Sequence, residues 1–255
     1  MRMRLVGWTI AAALAPMLMA QSNKSEPLPP PGGSIVGPEG NPLTGRPVGP
    51  SGAAPRMADG KPDLSGVWHS PRTTDPGKPM MLPWAAKLTE ERTASHSKDD
   101  PEARCLPAGV PRMNPFPYKL VQTPALLVML FEGNIHSYRQ VFLDGRGHPK
   151  NLDPTWYGDS IGAWDGDTLV VDTVGFNDKF WFGFAGHPHT EQLHVIERYH
   201  RRDLGNLDID ITILDPGAYT EPWKIKRTSV LAAGWEIKEY ICNENNQDAE
   251  HLVGK

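Results

Sequence analysis

The chain has 255 residues, with 26 Lys and Arg against 30 Asp and Glu and a hydrophobic fraction of 39%. This acidic balance argues against a nucleic-acid partner, because phosphate binding needs clustered positive charge, and the only local excess lies between Arg198 and Arg202. No segment after residue 20 is long and apolar enough to cross a bilayer, so the sequence predicts no membrane span.

The first twenty residues contain the three parts of a cleavable secretory signal peptide. Arg2 and Arg4 give a positive start, an apolar run follows from Leu5 to Met19, and Ala20 is a small residue at the expected cleavage point. A membrane anchor is the alternative, but a spanning helix needs roughly 20 apolar residues and this run is shorter. The sequence therefore predicts a periplasmic or secreted protein with a net charge near -6 after cleavage.

The stretch 21–60 contains nine Pro and eight Gly and shows almost no apolar periodicity. Such a segment buries too little apolar surface to offset the entropy lost on ordering. It is predicted to be a disordered, flexible linker. Residues 61–255 then have a length that suits one domain better than two.

The domain is predicted to begin with a strand at 64–69 and one short helix from Trp84 to Ser95. Prolines from Pro101 onward then exclude regular structure, so an ordered, extended loop is expected from Arg104 to Tyr118. Cys105 lies in this loop and is predicted to pair with Cys242, because two thiols in an oxidising compartment usually pair. Two separate buried thiols are the alternative.

From Tyr118 onward the sequence alternates between apolar strands and tight turns. Asp165-Gly166-Asp167 indicates a hairpin, because Gly accepts the positive φ of such turns. Residues 207–214 alternate between apolar and polar side chains, which is the period of a half-buried strand. The predicted strands are 125–132, 135–143, 160–164, 168–174, 190–201, 207–214, 223–231 and 235–242.

These strands, with no βαβ rhythm, predict an all-β fold in which an antiparallel meander closes into a barrel. Closure removes the exposed edges of the sheet, and the near-sequential hairpins favour the barrel over a flat sandwich, which is the alternative.

Residues 62–68 (PDLSGVW) resemble the first strand of lipocalin-like barrels, in which a Gly-x-Trp motif places the Trp at the closed end. Three further stretches, 105–107 (CLP), 160–173 (SIGAWDGDTLVVDT) and 188–194 (PHTEQLH), resemble a group of exported bacterial proteins. The resemblance covers most of 62–245. It implies export and a single lipocalin-like β domain, and it implies no particular activity.

Three of the nine His residues, His187, His189 and His194, fall within eight positions. Neutral imidazoles bind zinc, copper or iron, and the two rings of a His-x-His pair on an extended chain lie on one side. The spacing therefore predicts a possible transition-metal site. An exposed loop tip is the alternative for His187 and His189.

The strands at 135–143 and 190–201 have polar side chains on both faces, so some of these must point inward. A buried polar group is costly unless it pairs with another group, with water or with a ligand. We therefore expect a polar pocket that supplies an acid, a base and an anion binder for proton transfer on a small organic substrate. Its candidate catalytic residues are His136, Tyr138, Arg139, His194 and Glu197. Hydrogen-bonded structural roles, and exposure of His136, are the alternatives.

Three other motifs bear on function. Asp165-Gly166-Asp167 lacks the long ligand loop of a calcium site, and Gly158-Asp159-Ser160-Ile161-Gly162 lacks the strand-turn-helix setting of a nucleophile elbow. The aromatic run 176–184 (FNDKFWFGF) suits a lid over the barrel mouth or a minor core cluster equally well.

The sequence as a whole favours an exported barrel that binds a small organic molecule in a partly polar pocket containing His and Tyr. A barrel enzyme, acting as a lyase, isomerase or hydrolase with or without a bound metal, is the first alternative. An envelope interaction protein without pocket chemistry is the second.

Overall fold

The computed structural model describes residues 40–41, 46–69, 72–112, 117–133, 137–183, 185–242 and 244. The predicted signal peptide at 1–20 lies outside the described residues, as do much of the predicted linker and the candidate site residue His136.

The described residues form twelve β-strands, the helix α1 (Pro83–Ala94) and a short 3-10 helix (Pro101–Arg104). Pro83 is tolerated at the start of α1 because the N–H that it lacks would have no helical partner there. The strands are β1 (Gly40–Asn41), β2 (Arg46–Pro47), β3 (Gly66–Trp68), β4 (Arg72–Asp75), β5 (Tyr118–Gln122), β6 (Leu126–Phe131), β7 (Ser137–Phe142), β8 (Asp159–Asp165), β9 (Thr168–Val174), β10 (His194–Arg201), β11 (Asn206–Leu214) and β12 (Trp223–Val230).

Ten of these strands form one curled sheet, an open half-barrel, in the order β3-β5-β6-β7-β8-β9-β10-β11-β12-β4. The predicted all-β class is therefore confirmed, and so are the hairpins that join β8 to β9 and β10 to β11. The turn between β8 and β9 contains Gly166 at φ +59°, which is the conformation that the Asp-Gly-Asp motif predicts.

The expectation of a purely antiparallel meander is wrong at one position. β7 and β8 run parallel, with Val141 opposite Ser160 and Phe142 opposite Ile161. Parallel neighbours need a long crossover in place of a tight turn, and residues 143–158 supply that crossover. The sequence contains the long connection between β7 and β8. Whether such a connection leads to a parallel or an antiparallel neighbour depends on tertiary packing.

A second expectation, a strand over residues 235–242, is also wrong, because this segment has no regular structure. β12 already pairs with β11 and β4, and the chain just after it bonds to β3, where the Ala232 N–H donates to the Val67 carbonyl at 2.8 Å. Both edges of β12, the strand that precedes this segment, are therefore occupied.

The last part of the predicted linker contacts the sheet. The Leu204 N–H donates to the carbonyl of Gly52 at 2.9 Å, and Arg56 forms an ion pair with Asp167 at 2.6 Å. Gly49 lies so close to Gly205 that a Cβ on it would meet the Gly205 oxygen at 2.5 Å. The chain is therefore packed on the sheet before residue 61.

The inner face of the curled sheet holds the core, and its two ends differ. Trp68 is fully buried at one end, where its indole N–H donates to the Leu64 carbonyl and the Arg201 guanidinium lies 4.9 Å from its ring centroid. Trp223, which begins β12, lies at the other end with Phe182, at a centroid distance of 6.0 Å. The inner face therefore extends from an Arg–Trp stack to an aromatic cluster.

The predicted disulfide between Cys105 and Cys242 is present, with the two residues 137 positions apart and an S–S distance of 1.97 Å. It ties the irregular segment 235–242 to the loop that follows the 3-10 helix. Among the described residues, no helix is long and apolar enough to cross a membrane.

Removing the disulfide by the double substitution Cys105→Ser, Cys242→Ser is expected to lower the free energy of unfolding by about 2–5 kcal/mol, because the unfolded chain is then free of a long closed loop. Urea unfolding measures this change. Without reductant the two proteins are expected to differ in midpoint, and equal midpoints there would contradict the prediction. Adding a reductant is expected to lower the midpoint of the unaltered protein toward that of the variant and to leave the variant unchanged.

Candidate functional site

A buried ion pair crosses the inner face of the sheet. Alternation along β7 turns Arg139 inward, and alternation along β10 does the same for Glu197. The Arg139 Nη2 lies 2.6 Å from the Glu197 Oε2, and the two side chains are 3% and 1% exposed. A charge at this depth is costly unless it is paired, so each group depends on the other.

Neighbouring strands supply further partners for the pair. The Tyr199 hydroxyl donates to the Glu197 Oε1 at 2.8 Å. Arg139 donates from Nε to the Ser160 Oγ at 3.0 Å and from Nη2 to the Thr173 Oγ1 at 2.7 Å. Burial alone lowers the pKa of Arg139, but the Glu197 charge and the bonds to Glu197 and Tyr199 outweigh it, so the pKa is raised. Neighbouring strands therefore supply partners for Arg139 and for the Glu197 Oε1, whereas the Glu197 Oε2 has its ion pair with Arg139 and no further hydrogen-bond partner among the described residues.

The structure brings together two of the five predicted catalytic residues, Arg139 and Glu197. It places Tyr138 on the opposite face of β7, where it is 62% exposed, and His194 on the outer face of β10. Side chains one or three positions apart on a strand point to opposite faces. The predicted pocket combined the two faces, and its fifth member, His136, lies outside the described residues.

His194 belongs instead to a cluster on the outer face that the sequence did not indicate. Its Nε2 lies 2.8 Å from the Asp172 Oδ1, and the His148 Nε2 lies 3.2 Å from the same oxygen. The His148 Nδ1 lies 2.6 Å from the Asp159 Oδ1. The one available signal was Asp172, the carboxylate that follows the apolar residues 169–171 of β9. The cluster ties the 143–158 crossover to three strands.

The three predicted metal ligands lie in different surroundings. His187 donates from Nδ1 to the Phe182 carbonyl at 3.3 Å, while His189 is 4% exposed with its ring 4.0 Å from that of Phe180. Within the described parts of the chain, no group of three or more His, Cys, Asp or Glu residues is placed to hold a metal ion. The structure does not bring His187, His189 and His194 together.

Both His187 and His189 are packed among aromatic side chains, so neither occupies the exposed loop tip that was the alternative. Burial lowers the pKa of each imidazole, against weaker opposing effects from backbone carbonyls. Both rings are therefore held in the neutral form at pH 7.

A cleft of about 200 Å³ opens at the aromatic end of the inner face. Its walls combine aromatic and aliphatic groups with two guanidinium groups and one imidazole. The lining residues are Thr73, Pro76, Pro111, Arg112, Phe182, Gly183, Ala185, His187, Trp223, Ile225 and Arg227.

The aromatic run 176–184 contributes side chains to the hydrophobic core and to the wall of the cleft. Phe176, Phe180 and Phe182 are between 0% and 4% exposed and belong to the main core. Phe182 and Gly183 also line the cleft. The two interpretations that the sequence left open therefore both apply to parts of this run.

The two guanidinium groups of the cleft differ in their partners. Arg112 forms ion pairs with Asp100 at 2.7 Å and with Glu102 at 2.5 Å. Arg227 donates from Nη1 to the Pro111 carbonyl, but its buried Nε has no hydrogen-bond partner within the described part of the chain. Burial lowers the pKa of Arg227, although the charge of Glu197 opposes this effect.

No family model, curated protein or solved structure matches the chain.

Breaking the buried ion pair by Glu197→Gln is expected to lower the free energy of unfolding by about 3–5 kcal/mol, because it leaves the Arg139 charge uncompensated. The matched control is Arg198→Met, which removes the exposed pair with Asp165, whose side chains are 44% and 70% exposed, and is expected to cost less than about 1 kcal/mol. Urea unfolding measures both values. Equal losses would show that the buried pair contributes no more than a surface pair.

Acid is expected to destabilise the protein partly through His189. Its pKa is lowered in the folded state, so below the ordinary value of about 6.5 the unfolded chain binds a proton that the folded chain does not. The free energy of unfolding then falls as pH decreases from about 7.5, by up to about 1.4 kcal/mol per pH unit for one such group.

The substitution His189→Phe keeps a ring between Phe180 and Phe182 and removes the titration. It is expected to reduce the slope of unfolding free energy against pH between about 7.5 and 5. Urea unfolding at several pH values compares this slope with that of the unaltered protein, and an unchanged slope would contradict the prediction.

Proposed function

We propose that this protein binds a small organic molecule in the cleft at the aromatic end of the curled sheet. The observation that carries the proposal is the composition of the cleft, in which apolar walls surround a few convergent polar groups. Small-molecule sites typically have this composition. The volume of about 200 Å³ suits a compact ligand.

The cleft walls are held in place before any ligand arrives. The Trp223 indole N–H donates to the Pro76 carbonyl at 2.8 Å, and the Phe182 ring meets the indole edge-on at 6.0 Å. Tyr219 anchors the neighbouring segment by donating to the Pro188 carbonyl at 2.8 Å. Preorganised walls favour binding because little side-chain entropy is lost on association.

The enzyme alternative receives less support from the same geometry. Glu197 accepts bonds from Arg139 and Tyr199 and is 1% exposed, so its carboxylate has no access to a substrate. His194, the second proposed acid–base group, faces outward on the same strand. Binding without chemistry therefore accounts better for the inner face.

We further propose that the sheet belongs to the lipocalin-like class and closes through β3. Support comes from the backbone beyond β12, where the His69 N–H donates to the Val230 carbonyl at 2.8 Å and the Ala232 N–H donates to the Val67 carbonyl. Trp68 and Arg201 would then seal one end, leaving the cleft at the other.

Export to the periplasm or the cell exterior is part of the same proposal. The Cys105–Cys242 disulfide supports it, because disulfides persist mainly in oxidising compartments. The signal-peptide pattern at 1–20 gives independent support from the sequence.

Blocking the cleft tests the binding proposal. Thr73 is exposed and lines the cleft, whereas Thr74, its neighbour on β4, is exposed and does not. The substitution Thr73→Trp is expected to weaken binding of benzoate, indole or benzyl alcohol at least tenfold, because the added ring fills the opening, while Thr74→Trp changes it little. Isothermal titration calorimetry measures both. If none of the three probes binds, or if Thr73→Trp has no effect, the proposal is wrong.

A further inference from the structure

The charge within the cleft narrows the class of ligand. Arg227 is the one guanidinium among the described cleft residues that forms no ion pair, since Arg112 is held by Asp100 and Glu102. Elsewhere on the inner face, Arg139 forms an ion pair with Glu197.

Arg227 lines the cleft, and part of its guanidinium is engaged within the protein. Its Nη1 donates to the Pro111 carbonyl, and its buried Nε has no partner within the described residues. A guanidinium in the wall of a cleft can donate charge-assisted hydrogen bonds to a carboxylate. An anionic ligand would therefore meet a positive charge that forms no ion pair within the described residues.

Comparison with Arg139 shows that the charge of Arg227 is less fully compensated. Glu197 and Tyr199 raise the pKa of Arg139 in spite of burial. For Arg227, burial is the largest effect, and the charge of Glu197 does not overcome it, so the pKa is lowered. The positive charge of Arg227 is therefore only partly compensated.

Apolar groups surround this charge. Phe182, Trp223 and Ile225 are each 7% exposed or less and line the same cleft. The volume of about 200 Å³ lies below the roughly 300–1,000 Å³ that is usual for sites of drug-sized ligands. This space suits a compact ligand such as one ring with a short substituent.

We infer that the ligand is a compact aromatic carboxylate, with its carboxylate on Arg227 and its ring against Phe182 and Trp223. This inference rests on the proposed binding function and adds the chemical class. His187 adds a selective feature. Because its Nδ1 donates to the Phe182 carbonyl, its Nε2 remains a hydrogen-bond acceptor, which favours aromatic acids that also carry a hydroxyl group.

Three probes separate charge from ring by isothermal titration calorimetry on the full mature chain. Benzoate has both features, benzyl alcohol has the ring without the charge, and acetate has the charge without the ring. Benzoate is expected to bind at least tenfold more tightly than either of the others, because a charge-assisted hydrogen bond and an apolar ring contact each contribute.

The substitution Arg227→Met is expected to weaken benzoate binding about ten- to hundredfold, the usual effect of losing hydrogen bonds to a charged group. It is expected to leave benzyl alcohol within about threefold. The matched control is Lys224→Met, which removes a positive charge from the exposed face of the same strand and is expected to change neither.

The outcomes distinguish this inference from the binding proposal. If benzoate and benzyl alcohol bind equally and Arg227→Met weakens neither, the anionic class is wrong although the cleft binds ligands. If acetate binds as tightly as benzoate, the assignment of an aromatic ligand is wrong. If no probe binds, the binding proposal itself fails. Should Arg227→Met not fold, the comparison of the three probes on the unaltered protein and the Arg227→Lys variant still decides.

Discussion

The guanidinium of Arg139 and the carboxylate of Glu197 face each other on a surface that is otherwise largely apolar. Both charged groups are buried away from water, so the energetic cost of burying each one is tolerable only while it is paired with the other. Arg139 comes from β7, Ser160 from β8, Thr173 from β9, and Glu197 and Tyr199 from β10. Because a slip of one residue would turn any of these side chains outward, the pair sets the register of four strands at once. The parallel pairing of β7 with β8 is one part of this arrangement.

The Arg139–Glu197 pair and its hydrogen-bond partners form a polar layer, and the other side chains of the inner face lie on either side of it. On one side lies the Arg201–Trp68 stack, and on the other lies the aromatic cluster that contains Trp223. Arg227 lies on the cleft side of the polar layer and is not neutralised by it. The Glu197 carboxylate is already paired with Arg139, so it leaves the positive charge of Arg227 in the cleft without an ion pair. The stability of the sheet and the unpaired charge in the cleft are thus two consequences of one unequal distribution of charge.

Local patterns predicted the fold well, and long-range arrangement accounts for the errors. The period of two in β11 and the Asp-Gly-Asp turn at 165–167 are local signals, and both were correct. The parallel contact of β7 with β8 and the irregular segment 235–242 depend on which strands remain available, which no window of sequence records. For the site, the sequence indicated buried polar groups and identified Arg139 and Glu197. The structure separates these two residues from Tyr138 because successive side chains on a strand point to opposite faces of the sheet.

The bridge between Trp68 and Leu231 has a consequence for how the chain folds. It joins the first strand of the curled sheet to the segment just after the last long strand, so nearly the whole domain must exist before the bridge can form. Contacts of such high sequence separation slow folding. Until they form, strand edges remain open to pairing with other chains. The slowest step of folding is therefore expected to be the step before which the open strand edges can still aggregate. Truncating the chain before β12 removes the segment around Leu231 that pairs with Trp68, so those edges would stay open.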